Sequence, residues 1–291
     1  MVAHSDAVIP FAFESLPVRG EIIQLQSAWQ RMQLGHDYAD AVSEVLGHAA
    51  AATGLIAQSL KFDGTITLQI SGGGPMSMLV MQCSSNLELR GMASSDPGLG
   101  SSSYKELAAG AKCAITVDAG EMERPYQGIV DVCGNNLSDS LANYYARSAQ
   151  IPSHLQLVAS QAYCGGILLQ QMPGGRGLDA DDWRRLGLLA ATLRASDLAG
   201  GIGHELLGKL FAEDDVRVYK PRPAVFRCRC SQRRAEQVLK LLGEGESREA
   251  CAELGRVDVT CEYCGRTRTF DAVDISRLFA ATALCGSDAV H

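Results

Sequence analysis

The spacing of apolar residues in the first half of the chain predicts strands separated by one long helix. Residues 20–25 and 65–70 predict strands, because the first contains adjacent β-branched residues and the second alternates between apolar and polar. Residues 36–60 predict a helix, since alanine is abundant, proline is absent and apolar positions recur at helical spacing. The alanines widen the apolar stripe, so we expect this helix to be largely buried.

A run of glycines at residues 72–74 leaves two alternatives, a turn and a phosphate loop. The run lies between the predicted strand at 65–70 and an apolar segment at 78–81. A phosphate loop requires a lysine after the glycines and a helix that opens behind them, and neither follows here. We therefore predict a hairpin turn.

Further elements complete the first domain. Residues 113–117 and 127–133 predict strands, and residues 155–172 predict one or two more. Ser138 is a suitable N-cap for a helix that continues to Ser148. The order of these elements predicts an α+β domain whose sheet is mainly antiparallel.

Two apolar helices follow a break in the chain at residues 173–177. Asp179 is placed to cap the first helix, over residues 180–195, and the second is predicted over residues 204–211. We interpret both as linker helices that lie on the first domain. The predicted division is therefore an N-terminal α+β domain at 1–175, a helical linker at 176–224 and a small C-terminal cysteine domain at 225–291.

Composition and cysteine usage narrow the class of protein. The chain has 291 residues, of which 46% are hydrophobic and 20% charged, as in ordinary globular proteins. No run of about 18 apolar residues is present, so no transmembrane helix is expected. The first residues also lack the features of a signal peptide, which predicts a cytoplasmic location. The cytoplasm keeps thiols reduced, so the ten cysteines require an explanation.

Six of the cysteines are isolated in the sequence, and four are paired. We expect most of the isolated ones to be small core residues. They are Cys83, Cys113, Cys133, Cys164, Cys251 and Cys285. The paired residues are Cys228 with Cys230 and Cys261 with Cys264, at a spacing typical of a tetrahedral zinc site. The sequence therefore predicts one zinc ion per chain, and Gly265 suits a tight turn whose N–H groups point at the sulfurs.

The free energy of zinc binding indicates that this small domain stays folded only while the metal is bound. A domain of about 60 residues buries too little apolar surface to be robust alone. Structural zinc contributes on the order of 10–16 kcal/mol to such folds. Disulfides within each pair would close very short loops, worth roughly 2 kcal/mol each before strain. We therefore predict that the domain unfolds when it is oxidised.

A basic segment near the first cysteine pair leaves two interpretations open. Residues 217–234 contain seven basic residues and no acidic one. Arg227, Arg229, Arg233 and Arg234 either favour the thiolate form of the cysteines or form a solvated face that balances the charge of the zinc centre. A nucleic-acid-binding zinc ribbon is the main alternative function, but the net charge of -7 argues against it.

Two segments of the linker partly match enzyme motifs, but each lacks a residue that the motif requires. Gly203–Leu210 resembles a Walker A loop, but Leu210 stands where a magnesium-binding hydroxyl is required. His204 and Glu205 begin a zinc-protease helix, but Gly208 replaces its second histidine. A thiol oxidoreductase or a catalytic zinc enzyme is the remaining enzyme alternative. Catalytic zinc keeps an open ligand position, which four cysteines do not leave.

Short stretches spread over nearly the whole chain match one known family. They read Val18-Arg19-Gly20-Glu21, Tyr126-Gln127-Gly128-Ile129-Val130, Leu141-Ala142-Asn143-Tyr144-Tyr145, Gly165-Gly166-Ile167-Leu168-Leu169-Gln170, Phe226-Arg227-Cys228-Arg229-Cys230-Ser231 and Cys261-Glu262-Tyr263-Cys264. In these residues the chain resembles the 33 kDa chaperonin, or heat shock protein 33, family of the bacterial cytosol. Ala149, Gly265 and Thr269 depart from the glutamate, asparagine and tyrosine common in that family.

The resemblance implies a redox-regulated holdase chaperone that needs no ATP and is not an enzyme. In the reduced state the four cysteines would hold zinc and the protein would be inactive. Oxidation under unfolding stress would form Cys228–Cys230 and Cys261–Cys264 disulfides and release the zinc. The C-terminal domain and the linker would then loosen and expose apolar surface that binds unfolding client proteins. The resemblance also implies a homodimer in the active state, while neither nucleic acid nor membrane is expected as a partner.

Overall fold

The computed structural model describes residues 6–100, 102–120, 125–172 and 178–285, with the backbone alone for residues 281–285. The strands are β1 Ala7–Phe13, β2 Val18–Leu25, β3 Thr65–Ser71, β4 Met76–Ser84, β5 Glu88–Ser95, β6 Lys112–Asp118, β7 Tyr126–Val130, β8 Ser153–Ala159, β9 Cys164–Gln171, β10 Val216–Val218, β11 Arg222–Pro223, β12 Val225–Phe226, β13 Val257–Thr260 and β14 Thr267–Phe270. The α-helices are α1 Ser27–Gln33, α2 Asp40–Ser59, α3 Tyr104–Leu107, α4 Leu137–Tyr144, α5 Ala180–Ala190, α6 His204–Leu210, α7 Gln232–Leu242, α8 Glu244–Leu254 and α9 Ala272–Cys285. A π-helical turn spans Tyr145–Ala149, and a 3-10 helix spans Ala195–Gly200. The predicted break at residues 173–177 lies outside the described residues.

The chain divides into two compact units, Met1–Arg227 and Cys228–His291. The first unit contains two sheets, with the strand orders β10-β1-β2-β9-β8 and β12-β5-β4-β3-β6-β7, and β11 pairs with β1 as well. All pairings are antiparallel except that of β12 with β5. The predicted α+β class with mainly antiparallel sheets is confirmed. The three-part division by function stays a prediction.

Helix α2 lies between the two sheets and forms the centre of the larger core. It contacts β2, β8 and β9 of one sheet and β3, β4 and β5 of the other. Its first residue is Asp40, four residues later than predicted, because Ala39 before it has a non-helical backbone with a ψ of 145°. Nearly every side chain of α2 from Val42 to Ala57 is buried, which confirms the predicted burial.

The glycine run after β3 forms a turn, as predicted. Strands β3 and β4 pair in register from Thr65 with Ser84 to Ser71 with Met78, and the turn joins their ends. Gly73 has a φ of 43°, and a Cβ atom there would collide with the backbone of the loop before β6. Glycine is therefore required for close approach of two backbone segments, not for binding phosphate.

Helices α5 and α6 cover the outer face of the first sheet and build a second core. Apolar side chains of these helices and of the 3-10 helix pack on β1, β2 and β9. Gln24 of β2 donates a hydrogen bond from Nε2 to the carbonyl oxygen of Leu198, at 2.8 Å. The two helices thus lie on the first domain, as interpreted from the sequence. Helix α5 ends at Ala190, five residues earlier than predicted, and the 3-10 helix begins at Ala195.

The predicted cap of helix α4 is wrong. Asn136 is the N-cap, and its side chain accepts a hydrogen bond from the N–H of Asp139 at 3.0 Å. The hydroxyl of Ser138 instead accepts the N–H of Leu157 at 3.1 Å. Leu157 lies in β8, the last strand of its sheet. Ser138 therefore satisfies a backbone donor of a sheet edge, which a local helix-capping rule cannot reveal.

A buried carboxyl group makes the stability of the first unit depend on pH. The side chain of Glu21 is buried on β2, and its Oε2 has no hydrogen-bond partner among the described residues. Burial raises the pKa of Glu21 from 4.5 to about 7, and the charge of Arg19 offsets only part of this effect. The protonated form is therefore favoured in the folded state.

We expect the free energy of unfolding to decrease as pH rises from about 4.5 to about 7, by about 3 kcal/mol from this group. The sign follows because the folded state holds the proton over a range in which the unfolded state has lost it. Both tryptophans, Trp29 and Trp183, lie in the first unit, so their fluorescence during urea unfolding reports on that unit. Glu21→Gln is expected to remove this part of the pH dependence. If the free energy of unfolding changes with pH equally in the variant and in the unmodified protein, the prediction is wrong.

Candidate metal centre

The first cysteine pair lies in a short loop that enters the second unit. Cys228 and Cys230 follow β12 and precede α7, whose N-cap is Ser231. The side chain of Ser231 accepts the N–H of Arg234 at 3.3 Å, which fixes the start of the helix directly after Cys230. The start of the helix therefore determines where the loop that carries the two cysteines ends.

The second cysteine pair lies in the turn of the β13–β14 hairpin. The N–H of Cys261 donates to the carbonyl oxygen of Arg266 at 3.0 Å, and the N–H of Gly265 donates to that of Cys261 at 2.8 Å. The backbone of Arg266 acts to lower the pKa of Cys264, against the larger opposite effect of burial, and N–H groups that point at the sulfurs stay a prediction for this turn. Gly265 has a φ of 64°, a left-handed conformation that both glycine and asparagine tolerate. Its departure from the asparagine common in the similar family is therefore conservative in backbone terms.

The four thiols form a single cluster. The sulfur of Cys228 lies 3.6 Å from that of Cys261, and the sulfur of Cys230 lies 3.5 Å from that of Cys264. All four sulfur atoms lie within 4.8 Å of one another. In a tetrahedral zinc site with bonds of about 2.3 Å, the sulfurs are separated by about 3.8 Å. The donor set and its spacing therefore fit zinc, with no ligand position left for another residue.

Electrostatics within the cluster favour a bound cation. Burial is the main cause that raises the pKa of Cys228 to about 12, and the neighbouring thiols add to it. The pKa of Cys264 is also raised, again chiefly by burial. The pKa of Cys230 is lowered, because hydrogen bonds from the other thiols and the charge of Arg266 outweigh burial. Several thiolates so close together require a positive charge between them, and a divalent ion would supply it.

Part of the predicted basic cluster has other roles. Arg227 forms an ion pair with Glu88 at 2.8 Å, within the first unit. Arg234 donates to the carbonyl oxygen of Arg229 at 2.8 Å. The cation whose charge favours a thiolate is Arg266, in the hairpin turn. The sequence analysis missed this residue, although its position two residues after Cys264 was a possible signal.

The second unit has only a small apolar core besides the thiol cluster. It combines helices α7, α8 and α9 with the β13–β14 hairpin. Among the described residues, five apolar side chains are buried in its core, namely Ala235, Leu239, Cys251, Phe270 and Ile275. Such a core is too small to stabilise a fold of this length by itself. The thiol cluster is therefore placed where a metal would contribute most to folding.

Most of the isolated cysteines are core residues, as predicted. Cys83, Cys113, Cys164 and Cys251 are buried, whereas Cys133 is half-buried. Burial raises the pKa of Cys83 and of Cys113 to about 12. A high pKa leaves little thiolate at neutral pH, so these two buried thiols are poor nucleophiles. The side chain of Cys285 lies outside the described residues.

An α+β unit followed by a small four-thiol module defines a protein whose C-terminal fold is organised around a candidate metal centre. The family model described as Hsp33 protein matches residues 6–271. A 33 kDa chaperonin from Nitrosococcus oceani is 39% identical over 269 residues, which cover 92% of each chain. A 33 kDa chaperonin from Methylobacillus flagellatus is 35% identical over 290 residues, or 99% of each chain.

The chain belongs to the Hsp33 family, and this membership assigns it a chaperone function. The fold is also that of a solved structure, the 33 kDa chaperonin (heat shock protein 33 homolog) from Thermotoga maritima. That structure has a TM-score of 0.77 and a sequence identity of 22%, and it covers 96% of this chain and 99% of its own. Within the described residues, no helix combines the length and apolar character needed to cross a bilayer.

Proposed function

We propose that the chain is a redox-regulated holdase, which binds unfolding proteins without ATP and without catalysing a reaction. The observation that carries this proposal is the cluster of four sulfurs within 4.8 Å, built from two short-spaced pairs. Each pair lies on its own short loop, so each also has an oxidation partner nearby in the sequence. The same four residues can therefore serve either as a ligand set or as two disulfides.

In the reduced state Cys228, Cys230, Cys261 and Cys264 bind one zinc ion, and the protein is inactive. Bound zinc supplies the positive charge that keeps the four sulfurs as thiolates. The charge of Arg266 and the backbones of Cys230 and Arg266 act in the same direction, because each favours a thiolate.

Oxidation by hydrogen peroxide converts the ligands into disulfides. One cysteine of a pair attacks the O–O bond to give a sulfenic acid and water. The second cysteine then attacks that sulfur, which forms the disulfide and releases a second water. Formation of Cys228–Cys230 and Cys261–Cys264 thus consumes two peroxide molecules and removes four electrons. The sulfurs can then no longer hold the ion.

Loss of the ligand set destabilises the second unit and the linker. Two short disulfide loops contribute roughly 2 kcal/mol each, against the order of 10–16 kcal/mol that zinc contributes. In residues 176–224, the apolar side chains of α5, the 3-10 helix and α6 are packed on β1, β2 and β9. Their release would expose both these side chains and the sheet face beneath them.

The exposed surface provides the binding site for unfolding clients. Residues 1–175 form the client-binding and dimerisation domain in this proposal, residues 176–224 the releasable linker, and residues 225–291 the redox switch. The active form is a homodimer, and the protein acts in the cytoplasm, where an oxidant would be an abnormal signal.

The experiment compares reduced and peroxide-treated protein in suppressing aggregation of a thermally unfolding enzyme, while released zinc is measured with a chromogenic chelator. We expect protection only after oxidation, with one zinc ion released per chain. Cys133→Ala, which alters a thiol outside the cluster, is the matched control and is expected to behave like the unmodified protein. Equal protection by the reduced protein would rule out the switch.

A further inference from the structure

Strand β7 is the last strand of its sheet, and some of its backbone groups have no partner among the residues that the structure describes. It pairs with β6 alone, from Tyr126 opposite Val117 to Val130 opposite Cys113. The N–H of Gly72 donates to the carbonyl oxygen of Ser77, so the even-numbered residues of β3 hydrogen-bond to β4. Because hydrogen bonding alternates along an antiparallel strand, the odd-numbered residues of β3 bond to the even-numbered residues of β6.

In β6 the odd-numbered residues bond to β7, so the even-numbered residues of β7 bond back to β6. The N–H and C=O groups of Gln127 and Ile129 therefore point away from the sheet. Among the described residues, no other backbone or side chain forms a hydrogen bond with them. The free edge of β7 is defined here as these four backbone groups.

The opposite situation holds at β8, which ends the other sheet. There the outward N–H of Leu157 is bound by the hydroxyl of Ser138, and helix α4 lies against the strand. Natural sheets also protect their edges with charged residues or bulges. Strand β7 contains no charged residue and pairs with β6 in regular register, so neither device is present.

The side chains of β7 combine packing against helix α4 with exposed apolar surface. A Cβ atom on Gly128 would collide with the ring and hydroxyl of Tyr144, so the tyrosine packs directly on the strand. The hydroxyls of Tyr126 and Tyr144 lie 3.2 Å apart. The side chain of Ile129 is 61% exposed, and that of Tyr126 is 58% exposed. The strand thus presents a preformed ladder beside exposed apolar surface.

We propose that the free edge of β7 captures an extended, uncharged segment of an unfolding client as an added strand. The inference rests on the proposed chaperone function for its partner, but the edge itself is a property of the folded first unit. Main-chain hydrogen bonds recognise any extended backbone, and exposed apolar side chains favour segments without charge. An unfolding protein offers both, whatever its sequence.

The shortness of β7 explains why such an edge is compatible with an inactive reduced state. A strand with two outward-facing residues forms a weak contact, and tight retention of a client requires a second contact on the same chain. The apolar surface released on oxidation supplies that contact. A short peptide should therefore bind weakly in either redox state, and a long client should bind tightly only after oxidation.

The first test uses the reduced, zinc-loaded full chain, so it does not depend on the switch. The probe is a short uncharged peptide of alternating valine and threonine. We expect it to slow hydrogen exchange at the amides of Gln127 and Ile129 by about tenfold at saturation. The same peptide N-methylated at alternate residues along the docking edge is expected to bind at least about tenfold more weakly, because it cannot donate the ladder bonds.

The second test changes the protein. Ile129→Pro removes an outward N–H without removing a bond to β6, whereas Ile129→Ala removes the same side chain and keeps the N–H. We expect peptide binding to be lost in the proline variant and reduced only moderately in the alanine variant. Equal losses would mean that apolar contact alone is responsible and would overturn the proposal. If the proline variant does not fold, the N-methylated peptide still distinguishes main-chain hydrogen bonding from apolar contact.

Other outcomes separate this inference from the proposed function. If the peptide leaves the exchange of both amides unchanged, the inference is wrong, whether or not oxidised protein protects clients. If both amides become protected with rising protein concentration and no peptide, a second copy of the chain occupies the edge, which also overturns it. Peptide binding at β7 by a protein whose oxidised form protects no client would support the edge and reject the holdase.

Discussion

Replacement of Cys264 by serine is expected to unfold the second unit while the first unit stays folded. The sulfur of Cys264 lies 3.5 Å from that of Cys230, and serine provides no thiolate at this position. Since structural zinc contributes on the order of 10–16 kcal/mol, loss of one ligand removes more free energy than the small core can replace. We expect zinc content to fall from one ion per chain to nearly none, and amide protection in residues 228–280 to be lost.

Cys251→Ala is the matched control for this prediction. Cys251 is a buried cysteine of the same unit, but its side chain belongs to the apolar core and not to the thiol cluster. This variant is expected to keep one zinc ion per chain and to lose only about 1 kcal/mol of stability. Zinc measured by emission spectrometry and amide exchange by mass spectrometry give the two readouts. A Cys264→Ser protein that retains zinc and protection would show that the other three ligands suffice.

Replacement of Gly165 by alanine is expected to destabilise the first unit severely. Gly165 lies in β9 between β2 and β8, and a Cβ atom there would collide with the carbonyl oxygen of Ile23. That oxygen belongs to the paired strand, so it cannot move without disturbing the ladder. The same Cβ would lie 2.8 Å from Cδ1 of Leu198, which packs on this sheet from the linker. Overpacking of this kind costs about 3 kcal/mol, or roughly 6–12 °C in melting temperature for a unit of this size.

Gly208→Ala provides the control with the same chemical change. Gly208 is exposed in α6, and nothing lies within 4 Å of the position its Cβ would take. Alanine has the higher helix propensity, so this variant is expected to gain about 0.5–1 kcal/mol. Thermal unfolding followed by tryptophan fluorescence distinguishes the two directions. Similar melting temperatures for both variants would show that the sheet around Gly165 adapts easily.

Much of the first unit was predictable because its elements follow local rules. The long buried helix, the glycine turn and the Asp179 cap were all correct in kind, and their errors were confined to a few residues at the ends. The ends of a helix or strand depend on its contacts with other elements. The stacked rings of His36 and Tyr38, for example, lie in the segment where α2 was expected to have begun already.

The strands β10, β11 and β12 show where local rules fail. Each has only two or three residues, and each is defined by a partner distant in the sequence: β1 for the first two and β5 for the third. Segments this short have no periodicity that a sequence analysis could detect. They became strands because the edges of β1 and β5 supplied their hydrogen bonds.

The candidate metal centre was predictable because ligand chemistry and spacing are written directly in the sequence. Cys228, Cys230, Cys261 and Cys264 were predicted as one ligand set, and the structure brings their sulfurs within 4.8 Å of one another. The source of positive charge was not predictable in the same way. Seven basic residues lie in the segment around the first pair, yet the charge that lowers the pKa of Cys230 is that of Arg266, beside the second pair.

The sequence alone determined the four-thiol site and the α+β class, because both depend on residue type and on spacing along the chain. Only the tertiary structure decided that Ser138 binds a backbone N–H at the edge of β8, that Glu21 is buried and that β7 is the last strand of its sheet. Each of these depends on which distant segment supplies a hydrogen bond or excludes water. Such pairings are set by the packing of the whole unit, so no local pattern contains them.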